Sequence, residues 1–416
     1  MKKTFILIFA LTLLLCGCGE ENYNKVNFDN AETLPMEEVS HFPEFELTFG
    51  QKGKYTDNGL FFTVSDKDSS VDTLYFADST TDEIYPLCAK SNCDHNTDDC
   101  PARLDVSDIY YDGAYLYFIE GSASKGKCIM RQRPDGSDRE SLFQQEAEKY
   151  GAASIRSTLY HGDIVYFATF GSVFNPETGE IISGEHICIG DLKSGETKVV
   201  PIDFGQGNGS TIGILGVCGN ELIVQRQYGG GGLSGKENYQ EHFFLLNLDT
   251  YEITLIAEFT LQDRRSFALI GEDLLYFRLN WTDTELLMEH ETEGKLYRQT
   301  HDVMIVDVKN RTKYLKKNVV QTTESLSDEL YIYFEWNSDY TEFTKKVKDL
   351  RTGEILPYPH NMPHLISQVR AGKYLYAQIF DENGMLVHVR ILEEDFWAGN
   401  PNFFVYPEWT YHGITY

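Results

Sequence analysis

One short motif recurs seven times along the chain, and it constrains the fold more than any other feature of the sequence. Each copy is a run of apolar and aromatic residues of the Leu-Tyr-Phe type, and successive copies begin 45 to 57 residues apart. The copies lie at 60–62, 116–118, 165–167, 222–224, 274–276, 330–332 and 375–377. A repeat of this length indicates an architecture in which one supersecondary unit stacks on the next.

Turn residues divide each repeat into two hairpins. Five copies follow a glycine that lies three residues ahead of them: Gly113, Gly162, Gly219, Gly271 and Gly372. A tight turn between two strands requires a positive φ, which glycine adopts without strain. Each unit then has a second apolar run, a turn rich in Asp, Gly, Ser or Thr, and a short closing strand. The sequence therefore predicts an all-β protein, a single β-propeller of seven four-stranded blades, with six or eight blades as alternatives.

The same pattern sets the limits of the propeller and leaves little room for helix. The propeller domain is predicted to span 44–410, and its last blade must take an outer strand from either 44–49 or 403–406. Two amphipathic stretches, 140–150 and 284–297, are the candidates for helices, and both lie in connections between strands.

The N-terminus predicts export and membrane attachment. Lys2 and Lys3 precede an apolar run at 4–15, which is too short to span a bilayer. The following Leu15-Cys16-Gly17-Cys18 resembles the bacterial lipobox. This resemblance implies a signal peptide at 1–17, cleavage before Cys18 and lipid on its sulfur, so that the partner is the lipid bilayer on the extracytoplasmic side of the cell membrane. An ordinary signal peptide is the alternative, and the polar stretch 18–43 is predicted to be a flexible tether.

Composition narrows the classes of partner. The 416 residues carry a formal charge of −28, and no basic tract follows the first three residues. A polyanion needs the opposite charge, so the sequence excludes nucleic acid as a partner. With 42% apolar residues the chain can bury a large core.

Four metal-binding side chains lie close together between the first and second repeats. Cys88, Cys93, His95 and Cys100 follow the spacing C-x4-C-x-H-x4-C. Three thiolates and an imidazole make up a complete tetrahedral Zn²⁺ shell, so a structural zinc ion is one interpretation. A disulfide with a spare thiol is the second, because disulfides persist outside the cytoplasm, and three free thiols are the third. In the first two cases these residues would clamp a polar loop.

The repeats and the N-terminus together resemble the β-propeller lipoproteins of Gram-positive bacteria, which have TolB-like or low-density-lipoprotein-receptor-like repeats and no known function. The Asp-Gly-x-x-Leu-Tyr-Phe strand and Asp-Gly-Ser hairpin within 111–143 carry this resemblance. It implies the propeller fold and a lipid anchor, and it assigns no catalytic residue.

Two functions remain open. The first is a non-catalytic propeller that binds a cell-surface protein, peptide or glycan, because no nucleophile, base or cofactor motif is recognisable. The second is a glycan hydrolase or lyase with acidic residues at the propeller channel. The longest loops, 170–185, 228–241 and 280–301, fall in three consecutive repeats and are predicted, with the cysteine loop, to occupy one face where a ligand binds.

Overall fold

A computed structural model describes the chain from residue 24 to residue 406 with several gaps. The described residues are 24–45, 55–65, 72–95, 97, 100–104, 106–122, 126–143, 154–175, 179–204, 211–228, 239–260, 262–263, 265–280, 285–290, 294–321, 325–326, 330–336 and 343–406. No helix in these ranges is long and apolar enough to cross a membrane.

The described chain forms seven antiparallel sheets of four strands, which are the blades of one propeller. Each blade runs from an inner strand through second and third strands to an outer one. The first three blades contain Tyr55–Thr56, Gly59–Ser65, Asp72–Asp78 and Ile84–Pro86; Val106–Tyr111, Leu116–Ser122, Gly126–Gln132 and Glu140–Leu142; and Ser154–His161, Ile164–Asn175, Glu180–Asp191 and Thr197–Val199. The seven-bladed, four-stranded architecture confirms the fold predicted from the repeats.

The remaining blades follow the same order. They contain Thr211–Cys218, Glu221–Tyr228, Gln240–Asn247 and Ile253–Thr260; Arg265–Ile270, Leu274–Leu279, Gly294–Asp307 and Thr312–Gln321; Ser325–Leu326, Leu330–Trp336, Phe343–Asp349 and Ile355–Pro357; and Ile366–Ala371, Tyr374–Phe380, Leu386–Leu392 and Phe404–Val405. Blade 5 has an additional strand, Glu285–His290, which pairs with Gly294–Asp307.

The recurrent apolar run lies at the beginning of each second strand, and the stacking of blades explains its composition. In blade 4, Leu222, Ile223 and Val224 are all fully buried. Leu222 and Val224 pack toward blade 3, while Ile223 packs toward blade 5. A strand covered on both faces contains consecutive apolar residues rather than an alternating pattern. The clusters between neighbouring blades are therefore the hydrophobic core.

Blade 7 completes its sheet with Phe404–Val405, which pairs with Leu386–Leu392. Of the two predicted sources of an outer strand, the C-terminal one is therefore confirmed, and 46–49 lies outside the described residues. Blade 7 also contacts blade 1, since the Tyr374 hydroxyl donates to Asp82 at 2.6 Å. This contact brings the two ends of the repeat series together.

The two helices predicted in connections are wrong where the structure describes them. Glu140–Leu142 is the outer strand of blade 2, and Glu285–His290 forms a hairpin with Gly294–Asp307. Their amphipathic spacing also fits short strands, and cross-strand pairing decides between the two conformations. The described helices are a 3-10 turn at Phe28–Asn30 and a short helix at Glu393–Ala398.

The prediction of a flexible tether over 18–43 is wrong from residue 24 onward. Asn24–Lys25 pairs with Ile202–Asp203, immediately after the outer strand of blade 3. Glu32–Thr33 and Met36–Glu38 then join the outer strands of blades 4 and 5 in parallel. We call residues 24–38 the strap. Its pairing uses backbone groups in two- and three-residue strands, so the sequence has no apolar period to show it.

Candidate functional site

The outer strand of blade 1 consists of two pieces, and the cysteine-rich segment lies between them. Ile84–Pro86 and Arg103–Leu104 both pair with the third strand, Asp72–Asp78, in the same direction. Leu74 hydrogen-bonds to both pieces, accepting from the Leu87 N–H at 2.9 Å and donating to the Ala102 carbonyl at 2.7 Å. Residues 88–101 therefore leave a single strand and return to the same point; we call them the excursion.

The four donor residues meet at the base of the excursion. The ligand atoms of Cys88, Cys93, His95 and Cys100 all lie within 4.8 Å of one another. His95 Nδ1 lies 3.4 Å from the Cys100 sulfur. Cys100 is 1% exposed, and the other three side chains are half-buried. The structure thus brings together all four residues that the spacing singled out.

Backbone geometry directs these side chains inward. Asn92 and His95 adopt the left-handed conformation, with φ of 60° and 54°. The resulting turns let the His95 N–H donate to the Cys93 sulfur, and this bond lowers the pKa of Cys93. The Ala102 N–H donates to the Cys100 sulfur, but desolvation dominates there and raises the pKa of Cys100 to about 11. Both bonds favour thiolate over thiol.

No cysteine among the described residues forms a disulfide, and the remaining three do not belong to the cluster. Cys188 is fully buried in the core between blades 2 and 3, and burial raises its pKa to about 12. Cys128 and Cys218 are half-buried in blades 2 and 4. None of the three occupies the excursion, and Cys18 lies outside the described residues.

The position of the excursion differs from the predicted one. The predicted position is the face that carries the long loops, whereas the excursion leaves the outer strand of blade 1 at the rim. Its last residue packs against blade 2, because a Cβ added at Gly136 would lie 2.5 Å from the Pro101 Cβ. Only the pairing of both ends with one strand gives its place.

The loop face is the face at which the second strand of each blade turns into the third, and blades 3 to 5 extend it. In blade 3 the two strands remain paired as far as Asn175 and Glu180, so that 170–185 is mostly a β-ribbon. In blade 5 the stretch 280–301 contains the hairpin of Glu285–His290 with Gly294–Asp307. The corresponding segment of blade 4, 229–238, lies outside the described residues.

Buried charges lie beneath this face at the junction of blades 3 and 4. The side chains of Arg226 and Glu185 are only 8% and 4% exposed, and Arg226 Nε lies 3.7 Å from a Glu185 carboxylate oxygen. The guanidinium is 5.7 Å from the ring of Phe204 and 5.6 Å from that of Tyr228. Desolvation lowers the pKa of Arg226, and the charge of Glu185 opposes that shift.

A second carboxylate, Glu241, is buried at the next junction. It is 3% exposed and accepts hydrogen bonds from Gln225 at 2.5 Å and Gln227 at 3.0 Å. It also forms an ion pair with Arg265 of blade 5, whose guanidinium lies 5.1 Å from the Phe259 ring. The structure therefore repeats one arrangement, a buried carboxylate with an arginine from the following blade.

Neither ion pair is predicted from the sequence, although a signal for them exists. Glu185-His186 and Glu241-His242 each begin the buried part of a third strand, in two consecutive blades. Burial of two titratable residues ahead of an apolar run is uncommon in a strand. Their arginine partners cannot be chosen from the sequence, because each lies in the next blade.

Comparison with known proteins gives similarity of fold. No protein-family model matches the sequence, and no curated protein matches it. Among solved structures, a Mycobacterium tuberculosis puromycin-hydrolyzing peptidase is 9% identical with a TM-score of 0.43, covering 90% of this chain and 56% of its own. An oligogalacturonate lyase in complex with manganese is 11% identical with a TM-score of 0.44, covering 84% and 91%. TolB from Acinetobacter baumannii is 10% identical with a TM-score of 0.33, covering 81% and 76%. This chain thus spans just over half the length of the peptidase, and the likenesses concern the fold alone.

Proposed function

We propose that this chain is an extracytoplasmic lipoprotein, anchored through Cys18, whose propeller binds a cell-surface protein, peptide or glycan without catalysis at the loop face of blades 3 to 5. The observation that carries the binding site is the pair of buried arginine–carboxylate contacts at two successive blade junctions. Removing charges from water is costly. Their presence beneath one face therefore points to a need for fixed charges there.

The chemistry at the junctions suits a polar ligand. Arg226 lies close to two aromatic rings, and its Nε faces a Glu185 carboxylate oxygen at 3.7 Å. A guanidinium held in this way offers N–H donors to carboxylate or hydroxyl groups, and the rings offer flat apolar surface. Peptides and glycans both present such groups.

The strap supports a close association with the bilayer. If Cys18 carries the lipid, strand pairing starts only a few residues later, at Asn24. A chain of that length spans at most roughly 20 Å when fully extended. The outer edge of blade 3 would then lie within that distance of the membrane, whereas a tether over 18–43 would allow a far longer reach.

The acidic content of the inner strands favours binding over glycan cleavage. The seven inner strands, as far as the structure describes them, contain one acidic residue, Asp108. A glycosidase needs two carboxyl groups about 5–10 Å apart. A catalytic pair at the channel would therefore need a carboxylate from outside these strands.

The anchor is tested by fractionation of cells that express the full chain. We expect Cys18→Ala to move the protein from the membrane fraction to the soluble fraction, while Cys218→Ser remains with the membranes. Equal membrane association of Cys18→Ala and the wild type would contradict the lipid anchor.

The binding site is tested with the purified full chain in detergent. We expect it to bind members of glycan or peptide arrays, and Arg226→Gln to lose binding at least tenfold, a loss of about 1.4 kcal/mol. The control is Arg133→Gln, since Arg133 pairs with Asp138 on the exposed rim of blade 2. Turnover of an array glycan would favour the hydrolase or lyase instead, and full binding by Arg226→Gln would remove the loop face of blades 3 and 4 from the site.

A further inference from the structure

We propose that Cys88, Cys93, His95 and Cys100 bind one Zn²⁺ ion in a closed tetrahedral site that fixes the excursion to the rim of blades 1 and 2. The ligand atoms of these residues already lie within 4.8 Å of one another. Around Zn²⁺, bonds of about 2.3 Å to sulfur and 2.0 Å to nitrogen place the four donors roughly 3.5–3.8 Å apart. The observed His95–Cys100 separation of 3.4 Å fits that spacing.

The donor set selects the ion. Three sulfur donors and one imidazole suit a borderline-soft cation, whereas Ca²⁺ and Mg²⁺ take oxygen ligands. Binding converts three thiols to thiolates, so three protons pass to solvent while the imidazole binds in its neutral form. A disulfide would use two of the sulfurs and would not explain why the third thiol and the histidine lie beside them.

Backbone N–H groups and a lysine stabilise the negative charge of such a centre. Zn²⁺ with three thiolates and a neutral imidazole keeps one negative charge in excess. The His95 and Ala102 backbone N–H groups donate to two of the sulfurs, and the Lys90 ammonium acts on Cys93 through its charge. Hydrogen bonds to ligating sulfurs are the usual second layer of a metal site.

A closed site has a structural purpose here, because the excursion lacks a core of its own. Between Cys88 and Cys100, the described residues other than Cys93 and His95 are exposed. Apolar burial cannot order such a segment, and a crosslink between its ends and its tip can. With four protein ligands no position stays open for substrate, so the ion acts on the fold. The ordered excursion holds Pro101 against Gly136 of blade 2.

Metal analysis of the purified full chain tests the proposal directly. We expect about one zinc ion per chain, and a loss of at least tenfold in zinc content in Cys93→Ser. Cys218→Ser is the control, because Cys218 lies in blade 4 and outside the cluster. Replacement of zinc by Co²⁺ should give the intense visible bands of a tetrahedral site with thiolate ligands.

A conservative variant separates ligation from folding. His95→Cys offers a fourth sulfur and should keep the metal, whereas His95→Ala should weaken its retention against a chelator at least tenfold. Chelation should also increase amide exchange in 84–104 and leave blades 3 to 7 unchanged. Two thiols that become titratable only after reduction would overturn the proposal in favour of a disulfide. Three reactive thiols without metal, or stoichiometric copper or iron, would overturn it as well.

Discussion

The excursion and the strap both lie on the outer rim of the propeller, but different interactions hold them. The excursion returns to the strand it left, and four side chains meet at its base. The strap instead follows three blades, with backbone pairing in parallel and one leucine, Leu34, buried in the core between blades 4 and 5. Its Phe28 ring also stacks on His242, with centroids 4.0 Å apart. A polar segment that has no repeat can thus be ordered by a crosslink. It can also be ordered by pairing with the outer strands of the blades, whose outer edges are otherwise unpaired.

The excursion and the strap should also differ in how far the loss of one interaction spreads through the structure. Loss of one ligand at the excursion should release one segment, since its described middle buries little else. Leu34 of the strap, and Glu241 and His242 of blade 4, are buried at junctions between blades. Loss of one of their contacts should therefore weaken a junction between blades. Four substitutions or changes of condition probe this comparison, and they follow from the largest expected effect to the smallest.

Glu241→Gln should have the largest effect, because it leaves the Arg265 guanidinium without its buried carboxylate. Breaking a buried pair in this way costs about 3–5 kcal/mol of unfolding free energy. Glu140→Gln is the control, since its carboxylate pairs with Arg131 but is 51% exposed. Such an exposed pair is worth about 0–1 kcal/mol. Urea unfolding of both variants measures the difference, and equal losses would mean that Glu241 contributes no more than a surface charge.

Leu34→Ala tests whether the strap is part of the fold. Leu34 is 4% exposed and its N–H donates to the Leu255 carbonyl at 3.2 Å. Truncation of a buried leucine costs about 2–5 kcal/mol. Met36→Ala, in the same strap but 56% exposed, should be close to neutral. Thermal unfolding compares the two, and a neutral Leu34→Ala would restore the flexible tether.

Gly136→Ala measures how closely the excursion packs on blade 2. Gly136 has φ of 82°, and an added Cβ would lie 2.5 Å from the Pro101 Cβ. Gly353 is a matched control, because it occupies the equivalent turn of blade 6 with φ of 74° and open space around its Cβ position. Gly353→Ala should cost about 1–2 kcal/mol for the left-handed backbone. Gly136→Ala should cost about 1 kcal/mol more for overlap, and identical midpoints in urea would contradict the contact.

Acidification should weaken the packing of Phe28 of the strap on His242, and this is the smallest of the four expected effects. Desolvation lowers the pKa of His242, with the Arg226 charge acting in the same direction and Glu258 and Asp29 opposing it. Because the folded pKa lies below the unfolded one, the stabilisation is complete above the unfolded pKa of about 6.5 and declines as pH falls below it. Amide exchange in 24–38 should therefore increase severalfold from about pH 7.5 to about pH 5.5. His242→Phe should remove that dependence, and an unchanged pH response in this variant would assign it to other groups.

Local sequence determined much of this protein. The run Leu222, Ile223 and Val224 must be a strand buried on both faces, and Gly372 with φ of 58° must be a turn. Repetition of such runs fixes a stack of blades because each unit has apolar surface that only a neighbour can cover. The spacing of Cys88, Cys93, His95 and Cys100 likewise indicated that these residues belong together, since residues within a dozen positions are seldom far apart.

Tertiary structure alone decided where distant segments meet. Glu32 pairs with Thr254, and Arg226 reaches Glu185 across a blade junction. The circular arrangement of the blades brings the members of each pair together. No period or spacing in the sequence indicates which residue pairs with which. The same reason applies to 284–297. Its amphipathic pattern fits a helix, but Glu285–His290 pairs with Gly294–Asp307 and forms a strand. Local patterns encode which residues are buried, whereas the closure of the propeller decides which open edges and which buried charges become neighbours.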